Sequence, residues 1–161
     1  MPANKDRLYI ALFARGGKAT MPGKEDTHHW AILIGSKAAT NAGSSVQYHA
    51  KERISQEGKS EFFFEEHDAS AQMLLILRGI PVSQNVSGWN CVSWVKEALE
   101  VVDADTQALA STRVCDWGRV RDAAIEYCQR KKDQHRFDGK GDYDMGVIPT
   151  YDLMVGRGLI F

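Results

Sequence analysis

The 161-residue chain has no apolar run approaching the ~18 consecutive residues that a membrane-spanning helix needs. It is poor in cysteine, with three, and in proline, with four. Three cysteines without paired spacing exclude a disulfide scaffold, and they predict free thiols in a reducing, cytoplasmic compartment. Charge of one sign is also lacking: 20 basic residues face 21 acidic ones, a formal net charge of −1. A near-neutral chain gives no electrostatic reason to expect nucleic acid or an anionic membrane as partner. The polar first residues carry no secretory pattern and the last four no prenylation motif.

What is present suits a globular protein, with 43% hydrophobic and 25% charged residues. A chain of this size buries roughly 70% of its unfolded surface, so folding requires neither a disulfide nor a metal. One domain is expected over residues 1–161. Its core would span about 8–102, followed by a helix and an irregular tail over 103–161.

Short apolar or alternating runs predict strands at residues 8–14, 30–35, 46–52 and 61–66. Residues 73–78 are a fifth strand candidate, although so short an apolar run also fits a helix. Glycine-rich segments at 15–27 and small residues at 41–45 read as loops. The pattern changes after Ser87-Gly88. Cys91, Trp94, Val95, Ala98, Leu99 and Val102 fall at helical spacing, with Asn90 or Ser87 as the polar residue in front. Asp116 caps a second predicted helix over 117–132, with Val120, Ala123, Ala124, Tyr127 and Cys128 turned inward. The remaining tail is expected to be irregular and to drape over the domain. Strands first and helices afterwards give an α+β class, an antiparallel sheet packed on a central helix with a cysteine at its N-terminus.

That cysteine carries the chemical signal. Unpaired N–H groups and the dipole in the first turn of a helix favour an anion, so Cys91 would tend toward the nucleophilic thiolate. His29 opens one predicted strand and His49 lies within the next. If both strands neighbour the helix, one imidazole can take the thiol proton while the other orients it. Each residue also has a plainer role. A lone cysteine on an apolar helical face is commonly a small hydrophobe, and a lone histidine a satisfied polar residue at a sheet edge. Zinc at His28, His29, His49 and Cys91 is disfavoured, because adjacent strand residues point to opposite faces, and no metal or other cofactor is expected. Trp89 and Trp94 flank the nucleophile turn as cleft-wall or core residues. The run Glu65-Glu66-His67-Asp68 reads as a charged turn, and Arg130-Lys131-Lys132 as a solvated helix end.

The run His29-Trp30-Ala31-Ile32-Leu33-Ile34-Gly35 resembles a histidine-bearing strand of the lecithin:retinol acyltransferase-like enzymes. Tyr48-His49-Ala50 resembles their second histidine strand, and Asn90-Cys91-Val92-Ser93-Trp94-Val95 their nucleophile helix. These enzymes belong to the circularly permuted papain-like (NlpC-type) superfamily of cysteine hydrolases, in which histidine precedes cysteine. The resemblance covers roughly residues 8–102. It implies that Cys91 forms a thioester acyl-enzyme, His29 is general base and then acid, and His49 is the orienting residue. The N–H of Cys91 would donate to an oxyanion, and Gln84 or Asn85 is a candidate second donor. With Trp89 and Asn90 these complete the set of oxyanion and substrate-lining candidates.

The expected activity is cleavage or transfer at an amide, ester or thioester bond of a small molecule or peptide. Two alternatives stand beside it. One is an isopeptidase of ubiquitin-like conjugates; the other is a noncatalytic binding module on the same fold.

Overall fold

The computed structural model describes residues 6–36, 45–67, 73–109 and 113–159. Four strands, β1 (Asp6–Ala14), β2 (His28–Ser36), β3 (Ser45–Ile54) and β4 (Ser60–His67), form one antiparallel sheet in chain order. Alternation explains the buried face: Leu8, Ile10 and Leu12 of β1, Trp30, Ile32 and Ile34 of β2, Tyr48 and Ala50 of β3, and Phe62 and Phe64 of β4 all join the core. The β3–β4 turn closes through a bond from Ser55 N–H to Lys59 C=O of 2.8 Å. Gly58 takes φ +76° there, a conformation that favours glycine.

Helix α1 (Met73–Arg78) is short, α2 (Cys91–Ala104) is central, and α3 (Trp117–Asp133) follows. The residues predicted to line the inner face of α2 are all buried, together with Val92. Trp94 packs on Phe64 at 5.8 Å between ring centroids, fastening α2 to the sheet. Trp117 meets Trp30 at 5.4 Å, which brings the start of α3 to the same core. The expected α+β class, with a cysteine-led helix on an antiparallel sheet, is the observed one.

Three local readings are corrected. Residues 73–78 are helical rather than a fifth strand, as befits a Met-Leu-Leu-Ile-Leu run dominated by unbranched and γ-branched helix formers. Glu65, Glu66 and His67 extend β4 instead of forming a turn. The tail contains a hairpin, β5 (Thr150–Asp152) with β6 (Arg157–Leu159). It docks on α3 where the Tyr127 hydroxyl donates to the Thr150 carbonyl at 3.1 Å. Buried Arg136 holds the preceding loop by donating to the carbonyls of Asp144 and Val147. Of the predicted loop at 41–45 only Ser45 is described, and Asp68 also lies outside the described residues.

Candidate functional site

The site starts from a mismatch in strand pairing. β1 pairs with β2 along its whole length, and β3 with β4 over eight residue pairs, but β2 and β3 pair only from Ile32↔Tyr48 to Gly35↔Ser45. Before Ile32 and beyond Tyr48 the two central strands have no mutual pairing. In an unbroken sheet, alternation would put His29 and His49 on the face opposite Trp30, Tyr48 and Ala50, away from α2. The unpaired stretch lets the first turn of α2 approach from the core side. The Trp30 backbone N–H is directed at the Cys91 sulfur, in the position where a neighbouring strand would otherwise bond.

A cleft of about 290 Å³ results, lined by Ala14, Arg15, His29, His49, Lys51 and Cys91, among others. It therefore brings together the three residues singled out as catalytic candidates. His29 Nε2 lies 2.6 Å from His49 Nδ1, the rings meeting edge to face at 4.9 Å between centroids. His49 Nε2 lies 2.8 Å from Glu65 Oε2, and Lys51 Nζ lies 3.2 Å from the same oxygen. Arg15, at the end of β1, pairs with Glu52 at 3.3 Å on the rim.

Cys91 begins α2 because Asn90 caps it: the Asn90 side chain accepts from the N–H of Val92 at 2.9 Å and of Ser93 at 3.4 Å. At 2% exposure the thiol barely reaches the cleft. Burial pushes it above its ordinary value, against the pull of the Trp30 N–H, the Arg15 charge and the N–H groups of Val92 and Cys91. The expected drift toward thiolate is thus reversed, because desolvation outweighs the helix terminus. Burial also lowers His29, to about 4, aided by the neighbouring charges of His49, Arg15 and Lys51 and opposed by Glu65. The resting pair near neutral pH is a thiol beside a neutral imidazole.

The other candidates hold the frame. Gln84 uses both ends of its amide on one residue of β4, accepting from the Phe62 N–H at 3.0 Å and donating to the Phe62 carbonyl. Both ends of its amide are thereby engaged on the strand. Asn85 sits in an exposed turn at φ +58°. Asn90 is spent on the cap, with its Nδ2 3.5 Å from Met21 Sδ. Buried Trp89 donates to Glu97 at 2.8 Å and packs on Phe62, while Trp94 is fully buried in the core. Neither indole lines the cleft. His28 is buried elsewhere, its Nδ1 3.1 Å from the Thr27 hydroxyl.

Glu65, Lys51 and Arg15 escaped the sequence reading. The signal for Glu65 was in the hairpin, since counting back from Ile54↔Ser60 sets Glu65 opposite His49. Among the described residues, no helix is long and apolar enough to cross a membrane.

Fold and site define an α+β protein whose central helix begins with a cysteine facing two hydrogen-bonded histidines. Residues 5–76 and 68–160 match the family described as "Family of unknown function (DUF6914)", and the chain belongs to that family. No curated protein and no solved structure matches it.

Proposed function

We propose that the protein is a cysteine-dependent hydrolase or acyltransferase acting on an amide, ester or thioester bond through an acyl-Cys91 intermediate. The observation that carries this reading is convergence. Cys91, His29 and His49 come from three elements yet line one cleft, and the two imidazoles are bonded at 2.6 Å. The resemblance of their three motifs to the lecithin:retinol acyltransferase-like enzymes of the permuted papain-like superfamily supports the same reading.

His29 takes the thiol proton as the sulfur attacks the carbonyl carbon, so the S–C bond forms without a free thiolate at rest. The carbonyl electron pair moves to oxygen, for which the N–H of Cys91 in the first turn of α2 is the candidate donor. Collapse breaks the bond to the leaving group, which receives the proton from His29. Water or another acceptor then gives its proton to His29 and attacks the thioester carbon; as the S–C bond breaks, the sulfur takes that proton from His29 and the resting thiol is restored. A cleft of about 290 Å³ favours a small molecule or the end of a peptide over a folded conjugate. Three free thiols favour a cytoplasmic setting.

A second reading, a binding module that has lost turnover, draws on one observation: the thiol is nearly closed off and raised by burial. Incubation with p-nitrophenyl acetate and mass mapping of the acetylated residue separates the two. Acetylation of Cys91 that disappears in His29→Gln is the expected outcome. No acetyl-Cys91 in the folded wild type would establish the binding module.

A further inference from the structure

On the reading that Cys91 is the nucleophile, we propose that Glu65 is a positioning residue, fixing through His49 which ring nitrogen of His29 carries the proton. The argument is one of donors and acceptors. Burial would raise the Glu65 carboxyl, but hydrogen bonds from His49 and Lys51 outweigh it and hold the group below its ordinary value. Glu65 is therefore ionised at neutral pH and can only accept. His49 Nε2, 2.8 Å away, must then carry a proton and donate it.

A neutral imidazole has one N–H, so His49 Nδ1 is left with a lone pair. Among the described residues, His29 Nε2 at 2.6 Å and, more distantly, Gln47 Nε2 at 3.5 Å address that lone pair. His29 consequently holds its proton on Nε2 and keeps its lone pair on Nδ1, which leaves that nitrogen as the base in the cleft it shares with Cys91. Reversed at Glu65, the chain would run the other way. With a donor or no partner at His49 Nε2, His49 can carry its proton on Nδ1. His29 Nε2 would then accept, its own proton would move to Nδ1, and the base would be blocked.

The geometry that maintains this polarity is built into the sheet. His49 and Glu65 are directly opposed in the β3–β4 register, and Lys51, two residues along the same face of β3, holds the carboxylate from the side. Charged and titratable groups around His29 come from four elements: Arg15 after β1, His49, Lys51 and Glu52 on β3, Glu65 on β4, and Cys91 on α2. Of the charges that act on His29, those of His49, Arg15 and Lys51 disfavour a second proton and that of Glu65 favours it.

The test uses the full chain labelled with ¹⁵N-histidine. Imidazole nitrogen shifts report the tautomer without any need for turnover, and iodoacetamide alkylation of Cys91 at pH 7 reports the base. In the wild type His29 should be a single tautomer, protonated at Nε2. In Glu65→Ala it should become a mixture, its titration should move to still lower pH, and alkylation should slow about tenfold or more. Glu65→Gln, nearly the same size and able to donate or accept, guards against misfolding and should give a smaller shift in the same direction. An unchanged His29 tautomer in both folded variants would overturn the proposal and make Glu65 an ordinary cross-strand partner. Failure of the catalytic reading looks different. Wild-type Cys91 would then alkylate no faster than Cys115 and Cys128, while the nitrogen shifts in the same sample would still decide the role of Glu65.

Discussion

Helices α2 and α3 each carry a cysteine and each begin at a polar cap, yet they give their thiols opposite circumstances. Cys91 is the first residue of α2, whereas Cys128 lies well inside α3 among Ala124, Ile125 and Tyr127. Burial raises both thiols, as it does Cys115. Acidity therefore does not set Cys91 apart from Cys128, and it is the more buried of the two. Its distinction is company: an imidazole pair in the same cleft and three backbone N–H groups that favour negative charge at the sulfur. A nucleophile here would depend on a base acting at the moment of attack, not on a thiolate kept in store.

The largest effect that could break this contrast is on turnover. Cys91→Ser keeps the volume but replaces the thiol with a much weaker acid, and His29→Gln removes the proton acceptor. Each should lower ester cleavage by about a hundredfold to ten-thousandfold, while Cys128→Ser leaves it unaltered. Cleavage kinetics with mass mapping would check this, and equal losses from both serine variants would erase the distinction.

Stability provides the next contrast. Trp94→Ala removes a fully buried indole from the inner face of α2 and should cost about 3–5 kcal/mol, measured by urea unfolding. Tyr127→Phe on α3 loses one hydroxyl bond to the Thr150 carbonyl and should cost about 1 kcal/mol.

A pH dependence separates the histidine site from the rest of the fold. His29 titrates at about 4 when folded and near 6.5 when unfolded, so between those values the unfolded chain binds more protons. Stability should accordingly fall as the pH drops from 6.5 toward 4, and the fall should be shallower in His29→Gln. Thermal melts across that window would show it, and parallel curves would place the acid sensitivity elsewhere.

The two caps give the smallest change and the finest discrimination. Asn90→Ala and Asp116→Ala should each lose about 1 kcal/mol, since each side chain satisfies N–H groups of a first turn. Only Asn90→Ala should also slow alkylation of Cys91, because that cap alone sets the sulfur in the cleft.

Much of this frame was legible because it is local. The spacing from Cys91 to Val102 marks one helical face, and Asn90 and Asp116 sit where an N-cap must. Alternation of Trp30, Ile32 and Ile34 marks β2 just as directly. The rest depends on distant partners. Nothing in the β2 sequence says that its pairing with β3 stops at Ile32, and that gap is what lets a helix-side cysteine share a cleft with two outward histidines. The bonding of Gln84 is hidden for the same reason, since its partner is Phe62, 22 residues away. The acidity of Cys91 went the wrong way because the helix terminus is a sequence feature, whereas depth of burial belongs to the fold. Residues 73–78 differ again: five apolar residues and an arginine carry too little periodicity to separate strand from helix.

The grip of Gln84 on Phe62 has a bearing on solubility. β4 is an outer strand of the sheet, and Phe62-Phe63-Phe64 gives it the aromatic, strongly β-forming character of a cross-β segment. An outer strand with free N–H and C=O groups is a template for another chain to extend. Gln84 occupies both groups of Phe62 with a side chain that mimics a peptide unit, so this rung is closed to an incoming strand. Glu61 and Glu65 flank the phenylalanines as like charges that would repel a stacked copy. One glutamine and two glutamates thereby guard this aromatic edge, and the glutamate that faces His49 is one of those guards.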